Sequence, residues 1–279
     1  MSNTLPFRIS IIDYLNAAPL NYGFKHGSGF KHFHLKFQVP SVCSDSLRKG
    51  EVDAGLISSI EYLRIPGLKI VPDLCIASPR RVRSVVLLSK VPPESINALA
   101  LDVSSRTSVV LAQILLRERY GAAPKVTEMP PDIGTMLADH DAALVIGDTA
   151  MRISRHGLIV LDLAEEWHTW TGLPFVFALW AIRQDAPELG SPGGIAPFFH
   201  QSYELGKINL EQIIDEAWRT IGWTKQELRD YLTINLSHTL GRYERESLAL
   251  FYEKSVKLGF APKNAPLRFF ETCYTDSPF

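Results

Sequence analysis

Cysteine is scarce in this chain, with three residues in 279, at Cys43, Cys75 and Cys273. Their odd number and wide spacing exclude a disulfide framework and a Cys-x-x-Cys metal or redox site. Long apolar runs are missing too: no window approaches the roughly 18 uninterrupted apolar residues that a membrane-spanning helix needs. Charge of one sign is not in excess, since 29 Lys and Arg face 30 Asp and Glu for a formal net charge of −1. Nor do the basic residues gather into a block, so the electrostatic footprint of a nucleic-acid binder is lacking. No fixed-period repeat or low-complexity tract interrupts the pattern. Residues Met1 to Arg8 lack the basic start, apolar stretch and small-residue cleavage site of a secretory signal. Together these absences predict a reduced, cytoplasmic protein whose partner is a small molecule, not nucleic acid or membrane. Oligomeric state, monomer or homodimer, is left open.

What is present is an ordinary globular composition, 46% hydrophobic, in a chain long enough for one large or two medium domains. Strand-like runs at residues 7–12, 35–39, 52–57, 68–71 and 74–77 are interleaved with helix-spaced segments. A second such series follows, with strands at 98–103, 125–129, 142–146 and 158–161. Two further runs, Ser84–Ser89 and Val176–Ile182, are apolar enough to be covered on both faces. They read as crossing strands between the two series. After a Pro- and Gly-rich linker at 186–194 the pattern is all helix, with capping boxes expected at Asn209–Gln212 and Thr224–Glu227. The expected architecture is α/β and bilobed: two α/β lobes joined by two crossing strands, with a helical C-terminal tail. One lobe is assigned residues 1–90 plus 184–279 and the other residues 91–183.

Ligands in open α/β folds sit beyond the carboxyl ends of the strands. Four polar strand ends are available: Tyr14-Leu15-Asn16, Ser58-Ser59, Ser104 to Ser108, and Gly147-Asp148. Of these, Ser104-Ser105-Arg106-Thr107-Ser108 is the centre. A strand ends there and an apolar helix begins, and the free N–H groups and dipole of a helix start favour a carboxylate or phosphate. Plain N-capping by Ser104 or Ser105 is the alternative, although hydroxyls at 105, 107 and 108 exceed what one cap requires. Asn16 and Asp148 are likewise placed either to meet a ligand or to cap the helices beside them. Trp167, Trp170, Phe175 and Phe177 either wall a pocket or fill the core, and His168 sits among them. Arg80, Arg81 and Arg83 either attract an anion or form a solvated face. His32 and His34 have His-x-His spacing but no third ligand nearby, so no metal site is expected.

The ordered set Asp13-Tyr14-Leu15-Asn16-Ala17-Ala18-Pro19, Gly50 to Ser59, Ser105-Arg106-Thr107-Ser108, Val145-Ile146-Gly147-Asp148 and Gly172 to Trp180 resembles the chorismate dehydratases of the futalosine route to menaquinone. The resemblance spans about residues 8–182. It implies a type 2 periplasmic-binding-protein fold used for catalysis in the cytoplasm, without metal or cofactor. The implied reaction is loss of water from chorismate to give 3-[(1-carboxyvinyl)oxy]benzoate. On that reading Asn16 of the family's Tyr-x-Asn motif and Ser84, at the cleft floor, are the catalytic side chains. Tyr14, Ser58, Ser59, Ser105, Thr107, Ser108, Gly147, Asp148 and Phe175 surround the substrate. Two other functions suit the same fold: a non-catalytic trap for a small carboxylate, and 1,4-dihydroxy-6-naphthoate synthase. The second is disfavoured because Asn16-Ala17-Ala18-Pro19 stands where that relative's Asn-Asp-Thr-Phe type of motif is expected.

Overall fold

A computed structural model describes residues 6–31, 33–187, 194–263 and 265–270. The first four strands are β1 (Arg8–Ile12), β2 (His34–Gln38), β3 (Ala54–Ser58) and β4 (Leu68–Ser78). The next five are β5 (Val85–Ser89), β6 (Ala98–Asp102), β7 (Lys125–Met129), β8 (Ala142–Ile146) and β9 (Ile159–Asp162), before β10 (Phe175–Arg183) and β11 (Ser237–Thr239). They form a six-stranded sheet in the order β11-β4-β10-β3-β1-β2 and a five-stranded sheet in the order β7-β6-β8-β5-β9.

Both sheets follow one plan. Three parallel strands (β2-β1-β3 and β7-β6-β8) are followed by an antiparallel strand, β10 or β5, and then by one more strand, β4 or β9. Both antiparallel strands are hydrogen-bonded on two sides, and β10 is buried from Phe175 through Ile182. That placement explains why Val85–Leu88 and Val176–Ile182 are apolar at every position rather than alternating. The chain passes to the second sheet between Ser78 and Val85 and returns between Thr171 and Phe175. So β5 belongs to the five-stranded sheet and β10 to the six-stranded one, on the far side of the divisions expected after residues 90 and 183.

Helices α1 (Ala18–His26), α2 (Pro40–Arg48) and α3 (Glu61–Arg64) connect the first sheet. In the second lobe the connections are α4 (Arg106–Ile114), α5 (Ile133–Ala138), α6 (Gly147–Arg152) and α7 (Leu163–Thr171). The tail holds α8 (Ala196–Ile208), α9 (Leu210–Ile221), α10 (Lys225–Asp230) and α11 (Arg242–Lys257). Two glycines let α1 and α8 meet closely. A Cβ on Gly206 would lie 2.0 Å from the Pro19 carbonyl oxygen, and one on Gly23 would lie 2.4 Å from the Ser202 Cα. The Ser202 hydroxyl donates to Leu20 O at 2.7 Å, tying the two helices.

Several expectations are revised. Residues 68–71 and 74–77 belong to one strand, β4, interrupted by Asp73 at φ 61° and by a register shift against β10. The tail is not all helix, because β11 pairs with β4. Three residues at a sheet edge are too few to show a period-2 pattern. Thr224 and Glu227 form their capping box, whereas Asn209 makes no cap bond and donates instead to Leu205 O. His34 is exposed at the start of β2, and His32 and Cys273 lie outside the described residues.

Candidate active site

Strand direction brings the polar ends together. β1 pairs parallel with β3, and β10 pairs antiparallel with both β3 and β4. The carboxyl ends of β1, β3 and β4 therefore share one edge of the first sheet, which places Asn16, Ser58-Ser59 and Ser78 along it. By the same logic the segments after β6 and β8, Ser104–Ser108 and Gly147–Asp148, share an edge of the second sheet with Ser84 at the start of β5. Gly147 N donates to Ser84 O at 2.7 Å there.

The two edges face each other and touch. Leu15 N donates to Asp148 Oδ1 at 3.0 Å, and Ser41 N donates to Ser104 O at 3.0 Å. Ile60 N donates to Thr107 Oγ1 at 3.2 Å, with Ser59 Oγ 3.3 Å from the same atom. The Tyr14 ring lies against Gly147, where a Cβ would sit 2.8 Å from it, and the φ of 62° at that glycine suits the absence of a side chain. All four polar strand ends of the sequence reading thus converge on one interlobe seam.

Individual roles then separate. Ser105 is the N-cap of α4, accepting from Ser108 N at 3.3 Å and donating to Ser108 Oγ at 3.0 Å. The capping alternative holds for Ser105, while Ser108 keeps a hydroxyl proton to donate. Ser59 donates to Val176 O at 2.8 Å, so Ser59 and Thr107 join the lobes rather than standing open. Asp148 does not cap α6, whose N-cap bears no side-chain bond; its carboxylate reaches the other lobe instead. Ser84 accepts from Tyr231 OH at 2.7 Å, which fixes the oxygen and leaves its own proton to donate. Phe175 packs against Trp167, Phe177 and Phe251 with centroids 4.8–5.4 Å apart, and is core by these contacts. Arg81 pairs with Glu165, and Arg83 lies 4.0 Å over the Trp223 ring, so these two arginines have local partners.

A buried polar atom without a partner costs about 1–3 kcal/mol, so its position asks for a ligand or another reason. Among the described residues six side-chain atoms are in this state: Asn16 Oδ1, Ser58 Oγ, Ser78 Oγ, Asn21 Oδ1, His168 Nδ1 and Trp180 Nε1. The first three stand at the shared edge of β1, β3 and β4. Asn16 caps neither neighbouring helix. Its carbonyl oxygen accepts from His238 Nε2 at 2.8 Å, and burial keeps that imidazole neutral by lowering its pKa.

The acid–base side chains at these ends bond backbone groups, Asp148 through Oδ1 alone. Asp102 accepts from Ser104 N at 2.8 Å, from the Ser104 hydroxyl and from Ile146 N at 3.3 Å. Burial pushes the carboxyls of Asp102 and Asp148, and the phenol of Tyr14, above their ordinary values. Ser78, Tyr231 and His238 were not singled out from sequence. Tyr231 and His238 lie 147 and 222 residues from their partners, a separation that leaves no local pattern. The Asp102-x-Ser104 turn was legible in principle as an aspartate bonding backbone two residues on.

A protein-family model described as menaquinone biosynthesis matches residues 7–257. The chain belongs to that family. It is 31% identical over 279 aligned residues to a chorismate dehydratase of Thermus thermophilus, covering 94% of this chain and 99% of that one. A chorismate dehydratase of Campylobacter jejuni is 32% identical over 256 residues, covering 90% and 98%. Among solved structures, protein AF1704 of Archaeoglobus fulgidus superposes with a TM-score of 0.73 at 18% identity, covering 91% of this chain and 97% of that one. The periplasmic aliphatic sulphonate binding protein SsuA of Escherichia coli gives 0.66 at 14% identity, covering 98% and 94%. These likenesses show a periplasmic-binding-protein-like bilobed fold, as expected from the sequence. No helix among the described residues is long and apolar enough to cross a membrane.

Proposed function

We propose that this protein is a chorismate dehydratase and that the interlobe seam is its active site. The observation that carries the proposal is the nearly full-length match to two chorismate dehydratases. In the reaction a ring C–H bond and the C–O bond to the ring hydroxyl break, a ring double bond forms, and water leaves. Aromatisation drives the step, so the protein's task is to hold a dicarboxylate and stabilise the departing oxygen with preorganised donors.

The residues support that division of labour. Asn16, with a buried amide oxygen awaiting a partner, holds the hydroxyl, and Ser84 donates its remaining proton to the substrate. Ser58 and Ser108 supply further hydroxyls from the two lobes. An amide is too weakly basic to take the ring proton, and Asp102, Asp148 and His238 already bond backbone groups. We assign the base to the substrate's own enolpyruvyl carboxylate, with Asp148, bonded to Leu15 N through Oδ1, as the alternative. A cytoplasmic setting fits the free, buried thiols of Cys43 and Cys75.

Incubating the purified protein with chorismate and following the ultraviolet spectrum tests the reading. Conversion to the aromatic enol ether is expected. Tight binding without turnover would instead establish a carboxylate trap.

A further inference from the structure

We infer that Arg106 is a positioning residue that latches the start of α4 onto the first lobe and holds the active site shut. The inference rests on the proposal that the seam is the active site. Arg106 is the first residue of α4, next to Thr107. Its Nη2 lies 2.9 and 2.8 Å from the two carboxylate oxygens of Asp45 on α2, and its Nη1 lies 3.2 Å from Glu61 Oε2 at the start of α3. Glu61 is fully buried. It also accepts from Arg64 Nη1 at 2.9 Å and from Arg48, while Arg48 Nη1 is 2.7 Å from Asp45 Oδ1. Two carboxylates therefore share three guanidinium groups, of which Arg106 alone comes from the second lobe.

That topology separates closure from folding. Without Arg106, Asp45 keeps Arg48, and the buried Glu61 keeps Arg48 and Arg64, so the first lobe retains its charge balance. What is lost exists only when the lobes touch, and such a contact weights the closed state alone. A ligand gripped by both lobes then binds with an apparent affinity reduced by the fraction of molecules closed. Arg106 meets no proposed substrate atom, so chemistry within the closed complex is unaffected.

The test compares Arg106→Gln with Arg48→Gln, which removes the same charge from the same network within one lobe. Arg106→Gln is expected to raise KM for chorismate roughly tenfold, within the usual range of coupling between sites, with kcat within about twofold. Arg48→Gln is expected to leave KM unchanged, and Arg106→Lys, which keeps the charge but not the fork, to fall between. Small-angle scattering without substrate is expected to show a larger radius of gyration for Arg106→Gln only. This measurement reads the latch even if chorismate is not turned over, so a wrong substrate and a wrong latch give different results. Equal KM shifts in the two Gln variants, a fall in kcat at constant KM, or an unchanged radius of gyration would overturn the inference.

Discussion

Asn16 shows what one buried atom can say. Its amide oxygen has no partner among the described residues, and its backbone carbonyl is pinned by His238. A side chain held in place but unsatisfied is preorganised for a ligand. Removing the whole side chain, its amide N–H donors as well as the open oxygen, as Asn16→Ala is expected to lower kcat by roughly a hundredfold or more, as for loss of one oxyanion-hole donor, with the melting temperature nearly unchanged. Steady-state kinetics beside a thermal melt check this, and unimpaired turnover would take Asn16 out of the mechanism. Gly147 makes the complementary case, since its constraint is steric. Gly147→Ala places a Cβ against the Tyr14 ring at a left-handed φ. It is expected to cost about 1–3 kcal/mol of stability and to raise KM by prising Tyr14 from the seam, as read by urea unfolding and kinetics. Which residues stand at strand ends was legible in the sequence. Which hydroxyls remain open was not, because Ser105 and Ser59 find partners only once the helix cap and the neighbouring lobe are in place.

Elements were legible in proportion to how local their causes are. The two apolar runs flanking the second lobe announced strands covered on both faces, and β5 and β10 are that. The Thr224 box formed because both of its bonds lie within four residues. Asn209, immediately before α9, has the same pattern, but its amide turns back to the carbonyl of Leu205 in the last turn of α8. β11 was invisible because its cause, the free edge of β4, lies some 160 residues earlier in the chain. The contact between α1 and α8 is of that distant kind as well. Gly206→Ala would drive a methyl into the Pro19 carbonyl, backbone that cannot swing aside. About 1–3 kcal/mol of destabilisation is expected from such overpacking, with a lower urea midpoint and some loss of activity, because α1 carries the Asn16 loop. A midpoint equal to that of the parent chain would mean that the helices separate without cost.

At the scale of the whole molecule, the buried His238 and the half-buried His200 couple folding to pH. Burial lowers the pKa of His238, and of His200 on α8, below the ordinary 6.5. Below 6.5 the unfolded chain takes up these protons while the folded chain does not. Stability is therefore complete above 6.5 and declines as pH falls towards the folded-state values, by at most about 1.4 kcal/mol per pH unit for each proton. The buried carboxyls act in the opposite sense. Asp102, Asp148 and Asp162 are raised above 3.8 by burial, so the stability they contribute is complete below 3.8 and is lost as pH rises through their folded values. The two sets are separated by removing one member. His238→Gln retains a donor for the Asn16 carbonyl but cannot titrate. Between pH 6.5 and 5 its melting temperature is expected to fall less steeply than that of the parent chain. Parallel slopes would mean that His238 takes up its proton as readily folded as unfolded, and the neutral donor holding Asn16 would be lost with it.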